Sequence, residues 1–301
     1  MAARSSDIAS AESLRRSPKD GMRAFAVMSA FGTAIIIGLI LGALIVQSGP
    51  AIFSASGTLF TTRWNPAEGV FGIVPMVFGS LFVMAIAMSL ALPIGLMAAI
   101  AISQMRNKSL KRLTKSALEI LAGIPSIVYG LIGVAYVSLW VAGAFDLQSG
   151  RIILTAGLIL AVMILPTFLS LAEDAISSVP NGYKENGAAL GLYPYETQFS
   201  IILPAAAPGI SSAALLALGR ALGETMAVML VIGSLDRLPR PLFNPLSSGQ
   251  TITSKLGREI GESAFGSVHF SALVLMSLIL VTLTIGLTIA ARKIFKHGAA
   301  L

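Results

Sequence analysis

Apolar residues run through this chain in blocks too long for ordinary core helices. Six can be marked, at about 24–46, within 71–103, and at about 118–144, 152–171, 211–232 and 268–291. Each offers close to the ~20 residues that an α-helix needs to cross the hydrocarbon of a bilayer. The second block is longer than one crossing needs, which predicts a tilted or extended helix. The pattern therefore predicts an all-α, polytopic membrane protein with six transmembrane helices. Pro93, Pro125 and Pro166 fall inside blocks and are expected to bend them. Gly38 and Gly42, four apart, suit a close helix contact in the first.

Composition agrees with the pattern. The chain has 301 residues, 55% of them hydrophobic and 12% charged, against about 25% charged in soluble domains. Mean hydropathy is +0.84. A soluble enzyme is excluded on these grounds. There is no cysteine, so disulfides and thiolate metal sites are excluded, and the two histidines, His269 and His297, cannot form a metal cluster.

The net charge of +7 would suit nucleic acid if it were clustered, but it is divided by the spans. Arg4, Arg15, Arg16, Lys19, Arg23, Arg106, Lys108, Lys111, Arg112, Lys115, Lys184, Arg292, Lys293 and Lys296 fall on one side. Arg63, Arg151, Arg237, Arg240, Lys255 and Arg258 fall on the other. Fourteen against six predicts both termini in the cytoplasm. The basic excess is a topology signal, and no nucleic-acid partner is expected. The first apolar run, about 23 residues, is too long for the 7–15 of a signal-peptide core. Residues 1–21 read as a disordered cytoplasmic tail, 22–70 as the first helix with an outer loop, 71–296 as the transmembrane core and 297–301 as a second tail.

Two connecting loops carry structure of their own. The outer one, about 234–267, opens with proline turn signals. Ile252, Leu256 and Ile260 then lie at helical spacing, which predicts a short amphipathic helix at the outer surface. The inner loop, 173–204, has Pro180 to end one helix and residues 183–190 for about two helical turns. Gly191 suits a left-handed cap, and Pro194 suits the first turn of the next helix. Pro204 and Pro208 are expected to interrupt the entry into the fifth span. A short helix between two breaks on the cytoplasmic face is a grip for another protein, or an ordinary structured loop.

Candidate chemistry lies in the fifth block. Arg220 and Glu224 are its only charges; none other occurs between Glu196 and Asp236. A charge at the bilayer centre costs roughly 2.5–3.5 kcal/mol on insertion scales. Just over one helical turn apart, the two lie on one face, and pairing lowers the cost of their burial. A guanidinium there suits an oxyanion crossing the membrane. A structural ion pair, or a bridge to another subunit, is the competing reading.

The inner loop also resembles a known pattern. Permease subunits of bacterial ABC importers carry Glu-Ala-Ala, three residues, Gly, nine residues, then Ile-x-Leu-Pro. Here Glu185, Gly191 and Ile201-Ile202-Leu203-Pro204 keep that spacing, with Asn186 and Gly187 replacing the alanines. Trp64-Asn65-Pro66, Phe71-Gly72-Ile73-Val74-Pro75, Gly123-Ile124-Pro125-Ser126-Ile127-Val128-Tyr129-Gly130 and Arg220-Ala221-Leu222-Gly223-Glu224-Thr225-Met226-Ala227-Val228 look like phosphate importer permeases of the PstC type. The resemblance implies the type I ABC importer permease fold, with a coupling helix that docks on an ATPase subunit through Tyr183, Glu185, Ala189, Leu190 and Gly191. It also implies a transport pathway through Arg220, Glu224 and Thr225. The partners implied are a second permease (PstA-type), two copies of an ATP-binding subunit (PstB-type), an outer phosphate-binding protein (PstS-type), phosphate and membrane lipid.

The chain lacks a Gly-x4-Gly-Lys-Ser/Thr loop, so energy would come from those subunits, and no cofactor is expected. Import of another oxyanion, such as sulfate or molybdate, is one alternative. An ATP-independent channel or secondary transporter is the other.

Overall fold

A computed structural model describes residues 18–55 and 57–298, with the side chains of 18–21, 24 and 294–298 left aside. Residues 1–17 and 299–301 of the predicted tails, and with them Arg4, Arg15, Arg16 and the side chains of Lys19, Lys296 and His297, lie outside the description; residues 18–21 and 297–298, also read as tail, are instead the ends of two long helices. The chain divides into two units, Met1–Gln47 and Ser48–Leu301. Within the first, the helix α1 (Pro18–Ser54, whose last turns belong to the second unit) is apolar and exposed on nearly all sides. Such a surface is stable only in hydrocarbon or against a partner.

The second unit adds a two-residue hairpin, β1 (Trp64–Asn65) with β2 (Val70–Phe71), antiparallel, Trp64 opposite Phe71. Next come α2 (Val74–Ser103), α3 (Lys108–Gly123), α4 (Ser126–Ala144) and α5 (Ile153–Ser177). After them stand α6 (Asn181–Ala189), α7 (Pro194–Gly223), α8 (Met226–Val231), α9 (Ile252–Glu259) and α10 (Val268–Gly298). Among the described residues six helices are long and apolar enough to span a membrane: α1, α2, α4, α5, α7 and α10.

The centre is α5, which packs chiefly on α2 and α7. Its inward residues, among them Ile153, Leu160, Ile164 and Phe168, are almost wholly buried. Two glycines let the helices close up. A Cβ at Gly95 of α2 would stand 2.6 Å from the Phe168 ring, and one at Gly157 would stand 2.5 Å from Ile86. With lipid as the alternative environment, this fit of surfaces, not escape from water, holds spans together.

Four expectations about elements are corrected. The third block does not start a span at 118. α3 is a separate amphipathic helix, begun by the Asn107 side chain, which accepts from Ser109 N and Leu110 N at 3.0 and 3.2 Å. It stops because Pro125 forces Ile124 into extended backbone (ψ 130°), and the span begins at Ser126. Glu119 sits exposed on α3.

Next, Pro204 and Pro208 do not interrupt α7. Five residues, Gln198–Ile202, widen into a π-turn just ahead of Pro204, at the carbonyls its ring would crowd. The fifth span accordingly starts at Pro194 instead of 211 and stops at Gly223, short of the expected 232.

Finally, α9 is not a surface helix. Ile252, Thr253, Ser254 and Lys255 are buried in the bundle. Thr251 Oγ1 caps it by accepting from Ser254 N at 3.2 Å, and the Ser80 hydroxyl on α2 accepts from Ile252 N at 2.9 Å.

Candidate functional site

The break after Gly223 decides the geometry of the charged pair. Glu224 is extended (φ −71°, ψ 123°), so Arg220 and Glu224 do not share a helical face. Each finds other partners. Glu224 caps the next helix, its Oε1 accepting from Ala227 N at 3.0 Å, and its carbonyl accepts from Thr253 Oγ1 of α9 at 2.7 Å. Thr225 packs in the break, its Cγ2 against Gly257 of α9. Arg220 donates to Thr167 Oγ1 on α5 at 2.7 Å and, at 3.5 Å, to the Ala122 carbonyl in the last turn of α3. Among the described residues no ion pair joins Arg220 to any carboxylate, so the expected pairing is overturned. The i, i+4 rule fails because the helix ends between the two residues.

Thr167 lies fourteen residues from the start of α5 and ten from its end. At 1.5 Å per residue that is about 21 and 15 Å, in the interior of a spanning helix. The half-buried guanidinium is thus held by a hydroxyl and a carbonyl, both neutral. The Ala122 carbonyl belongs to a helix C-terminus, where the dipole favours a cation. Thr167 and Ala122 have no signal in sequence, since both contacts depend on the packing of three helices.

The second candidate region is the inner loop. α6 forms as expected, ended by Gly191 in the left-handed region (φ 76°), with Leu190 as its C-cap. Tyr183, Glu185 and Leu190 are exposed, as Ala189 and Gly191 also are, and so the predicted docking residues sit together on one small helix and its C-terminal cap. Pro194 starts α7, where Glu196 Oε2 accepts from Tyr193 N at 2.7 Å. The Asn-Gly departure from the motif has a local reason. Gly187 is the buried residue of α6, and a Cβ there would stand 2.6 Å from Thr197 Oγ1 and 2.7 Å from its Cγ2. Glycine at 187 and a β-branched residue at 197 fit one another.

Residues 91–296 match the family of binding-protein-dependent transport system inner membrane components. The chain belongs to that family. It is 33% identical to the phosphate transport system permease protein PstC of Mesorhizobium japonicum, over 92% of this chain and 93% of that one. It is 34% identical to the PstC of Haemophilus influenzae, over 86% and 87%. With a probable ABC transporter permease of Bacillus subtilis, YqgH, it shares 33% over 75% and 73%. In fold it resembles a chain of the MetNI methionine ABC transporter in an inward-facing conformation (TM-score 0.58, 19% identity, 78% of this chain and 99% of that one). It also resembles a chain of a bacterial alginate ABC transporter (TM-score 0.55, 14% identity, 95% and 99%). The protein is a multi-pass inner-membrane permease with the ABC importer permease fold.

Two charged clusters brace this permease at opposite ends, and sequence reading missed both. At the basic end Glu173, wholly buried, pairs with Lys111 Nζ at 2.6 Å and with Lys115, and accepts from Ser177 Oγ at 2.5 Å. Lys115 also reaches Asp174 at 2.7 Å. Burial disfavours the Lys115 charge, but the hydrogen bonds to Asp174 and Glu173 outweigh it and raise its pKa above the ordinary 10.5. The signal was present as Lys111 and Lys115 at i, i+4 with a Glu-Asp pair downstream.

At the other end buried Lys255 pairs with Asp236 and Glu259, both at 2.5 Å, and sits 5.0 Å from the Trp64 ring centroid. Glu259 Oε2 also accepts from Trp64 Nε1 at 3.1 Å and lies 3.0 Å from His269 Nε2. This cluster closes α9 onto the hairpin and α10.

Proposed function

We propose that the chain is the permease subunit through which inorganic phosphate crosses the inner membrane, driven by ATP hydrolysis on partner subunits. One observation carries the reading. Arg220 holds a positive charge against the interior of a spanning helix, and among the described residues only neutral groups touch its guanidinium. A carboxylate partner would have quenched that charge. Hydroxyl and carbonyl contacts orient the fork and leave its charge for a passing anion. The relatives named for phosphate transport supply the substrate class.

Transport then proceeds by alternating access. Phosphate arriving from outside replaces part of its hydration with contacts from Arg220. Thr225, in the break, offers a hydroxyl on the same route. Glu224, fixed as a helix cap, supplies nearby negative charge that keeps anion binding weak enough for release.

In this reading α6 is the coupling helix, with Tyr183, Glu185, Ala189, Leu190 and Gly191 seated in an ATP-binding subunit. α7 begins three residues after Gly191 and ends beside Arg220, so a push at α6 has one continuous helix to act through. The complete complex would hold a PstA-type permease, two PstB-type ATP-binding subunits and a PstS-type outer binding protein. Both termini face the cytoplasm. Residues 22–70 form the leading helix and outer loop, and 71–296 the transporting core. The chain supplies no ATPase chemistry of its own.

Reconstitution of all the subunits in vesicles, with labelled phosphate outside and ATP inside, tests the reading. Uptake should require ATP and resist excess sulfate or molybdate. Arg220→Gln should abolish it while the subunits still co-purify. Normal uptake by that variant, preference for another oxyanion, or uptake without the ATPase subunits would overturn the proposal.

A further inference from the structure

A large cavity opens at the end opposite the basic loops, away from α6. Its volume is about 820 Å³, and Thr62, Arg237, Arg240, Leu246, Ser247 and Ser248 are among its walls. No carboxylate lines it. Both arginines are exposed, and neither has a hydrogen-bonding or ionic partner among the described residues.

The nearby acids are already committed. Asp236, next to Arg237, is held by Lys255 at 2.5 Å; Glu259 is held by Lys255, Trp64 and His269; Glu68 is paired with Arg63 at 3.2 Å.

The walls are tied at several points. Leu235 N donates to Gly249 O at 3.1 Å, and Gly249 N to Ile232 O at 3.1 Å. The start of α5 is pinned to the same loop, with Ile153 N on Ser247 O at 3.0 Å and Leu154 N on Pro245 O at 2.8 Å. Ser248 Oγ donates to Arg151 O at 2.9 Å. The loop is thus anchored at both ends and holds two uncompensated guanidiniums over a polar hollow.

We propose that this hollow is an anion vestibule. There Arg237 and Arg240 capture inorganic phosphate leaving the outer binding protein, before it reaches Arg220. The inference rests on the phosphate reading above, but its physics is separate. A concave site of one sign concentrates counter-ions and raises their capture rate by about 10- to 1,000-fold. Guanidinium forks match phosphate oxygens. Free of acids, the site holds the anion by charge and by hydroxyls such as Ser247, without enclosing it, which suits a place of transit.

The absence of cysteine allows a direct test. Ser247→Cys places one thiol in the cavity wall of the assembled transporter. Its labelling rates are measured with a sulfonate-bearing and a trimethylammonium-bearing methanethiosulfonate, with and without inorganic phosphate. With each rate divided by that reagent's rate on a small free thiol in solution, the anionic reagent should react about tenfold faster or more than the cationic one at low salt. Adding Arg237→Gln and Arg240→Gln should bring the ratio close to one, and phosphate should slow the anionic reagent only while the arginines are present. Continued reaction with the cationic reagent reports that the cavity is still open in the triple variant.

A ratio unmoved by loss of the arginines overturns the vestibule. So does an unmoved ratio accompanied by weakened binding-protein association, which would assign the arginines to protein docking. If uptake assays show that the transporter carries a different oxyanion, the ratio still collapses and protection tracks that oxyanion. Failure of the phosphate reading thus shows in uptake, and failure of the vestibule shows in the ratio.

Discussion

Arg220 shows how far a spacing rule reaches. Two charges four apart imply a shared face only while the helix between them is intact. Here the helix stops at Gly223, and the arginine turns to Thr167 and Ala122. Thr167 is therefore a positioning residue for the guanidinium. Replacing it by valine keeps the shape and removes the acceptor. A hydrogen bond to a charged group is worth about 1.5–3 kcal/mol net, so Thr167→Val should lower phosphate uptake by about tenfold or more in vesicles. Thr167→Ser, which keeps the hydroxyl, should stay close to the parent. Equal loss in both variants would mean that packing and not the acceptor matters.

The six apolar blocks (the bounds of the third and fifth apart), the short helix of the inner loop and the Gly191 cap were legible in the sequence, because each is set by local pattern. Thr167 was not, because nothing near it in the chain indicates what crosses it in space.

At the scale of elements, the inner loop turns on one contact. Gly187→Ala drives a methyl group to 2.6 Å from Thr197 Oγ1, so α6 must shift against the start of α7. The single variant should lose ATP-coupled uptake several-fold through weaker ATPase binding, and Thr197→Ala in the same chain should restore much of it. A double-mutant cycle reads this coupling directly; strict additivity would show that the two sites are independent.

α9 raises a different question, its buried lysine. Burial acts to raise the Glu259 pKa, but hydrogen bonds from Lys255 and His269 outweigh it and hold the carboxyl below the ordinary 4.5. A depressed folded pKa gives stability that is present above the unfolded value and lost as pH falls through the folded one. The thermal midpoint of the purified complex should therefore drop as pH is lowered below about 4.5, and the drop should be shallower in Glu259→Gln. The sequence predicted the period of α9 but put it on the outer surface. Its apolar stripe was legible, but the acids that neutralise Lys255 stand partly on another segment, at Asp236.

For the whole molecule, the helices are held by fitted surfaces around α5, with charge clusters at both ends. Glu173 locks the amphipathic α3 to the end of α5, and α3 in turn presents its last carbonyls to Arg220. Removing one partner from a buried ion pair costs about 3–5 kcal/mol. Lys111 and Lys115 are 25% and 30% exposed and regain some water, so Glu173→Gln should fall at the low end of that range. It should lower the melting temperature of the complex and loosen α3, seen as faster hydrogen exchange over 108–123. Exchange unchanged there would separate the cluster from the Arg220 site. The sequence placed the start of the third span eight residues early because apolar content continues through Ile124-Pro125. The break comes from the proline's effect on the residue before it, combined with the polar face of α3 finding Glu173.

The protein has two tryptophans. Trp140 stands 67% exposed on α4, while Trp64 is buried, its indole nitrogen on a carboxylate and a lysine ammonium over its ring. The permease therefore contains a natural optical probe. Any movement that pulls α9 away from the hairpin changes the electric field across one indole and leaves the other as it was. With Trp140 replaced by phenylalanine, the emission colour of Trp64 in the purified chain reports whether α9 stays seated on the hairpin.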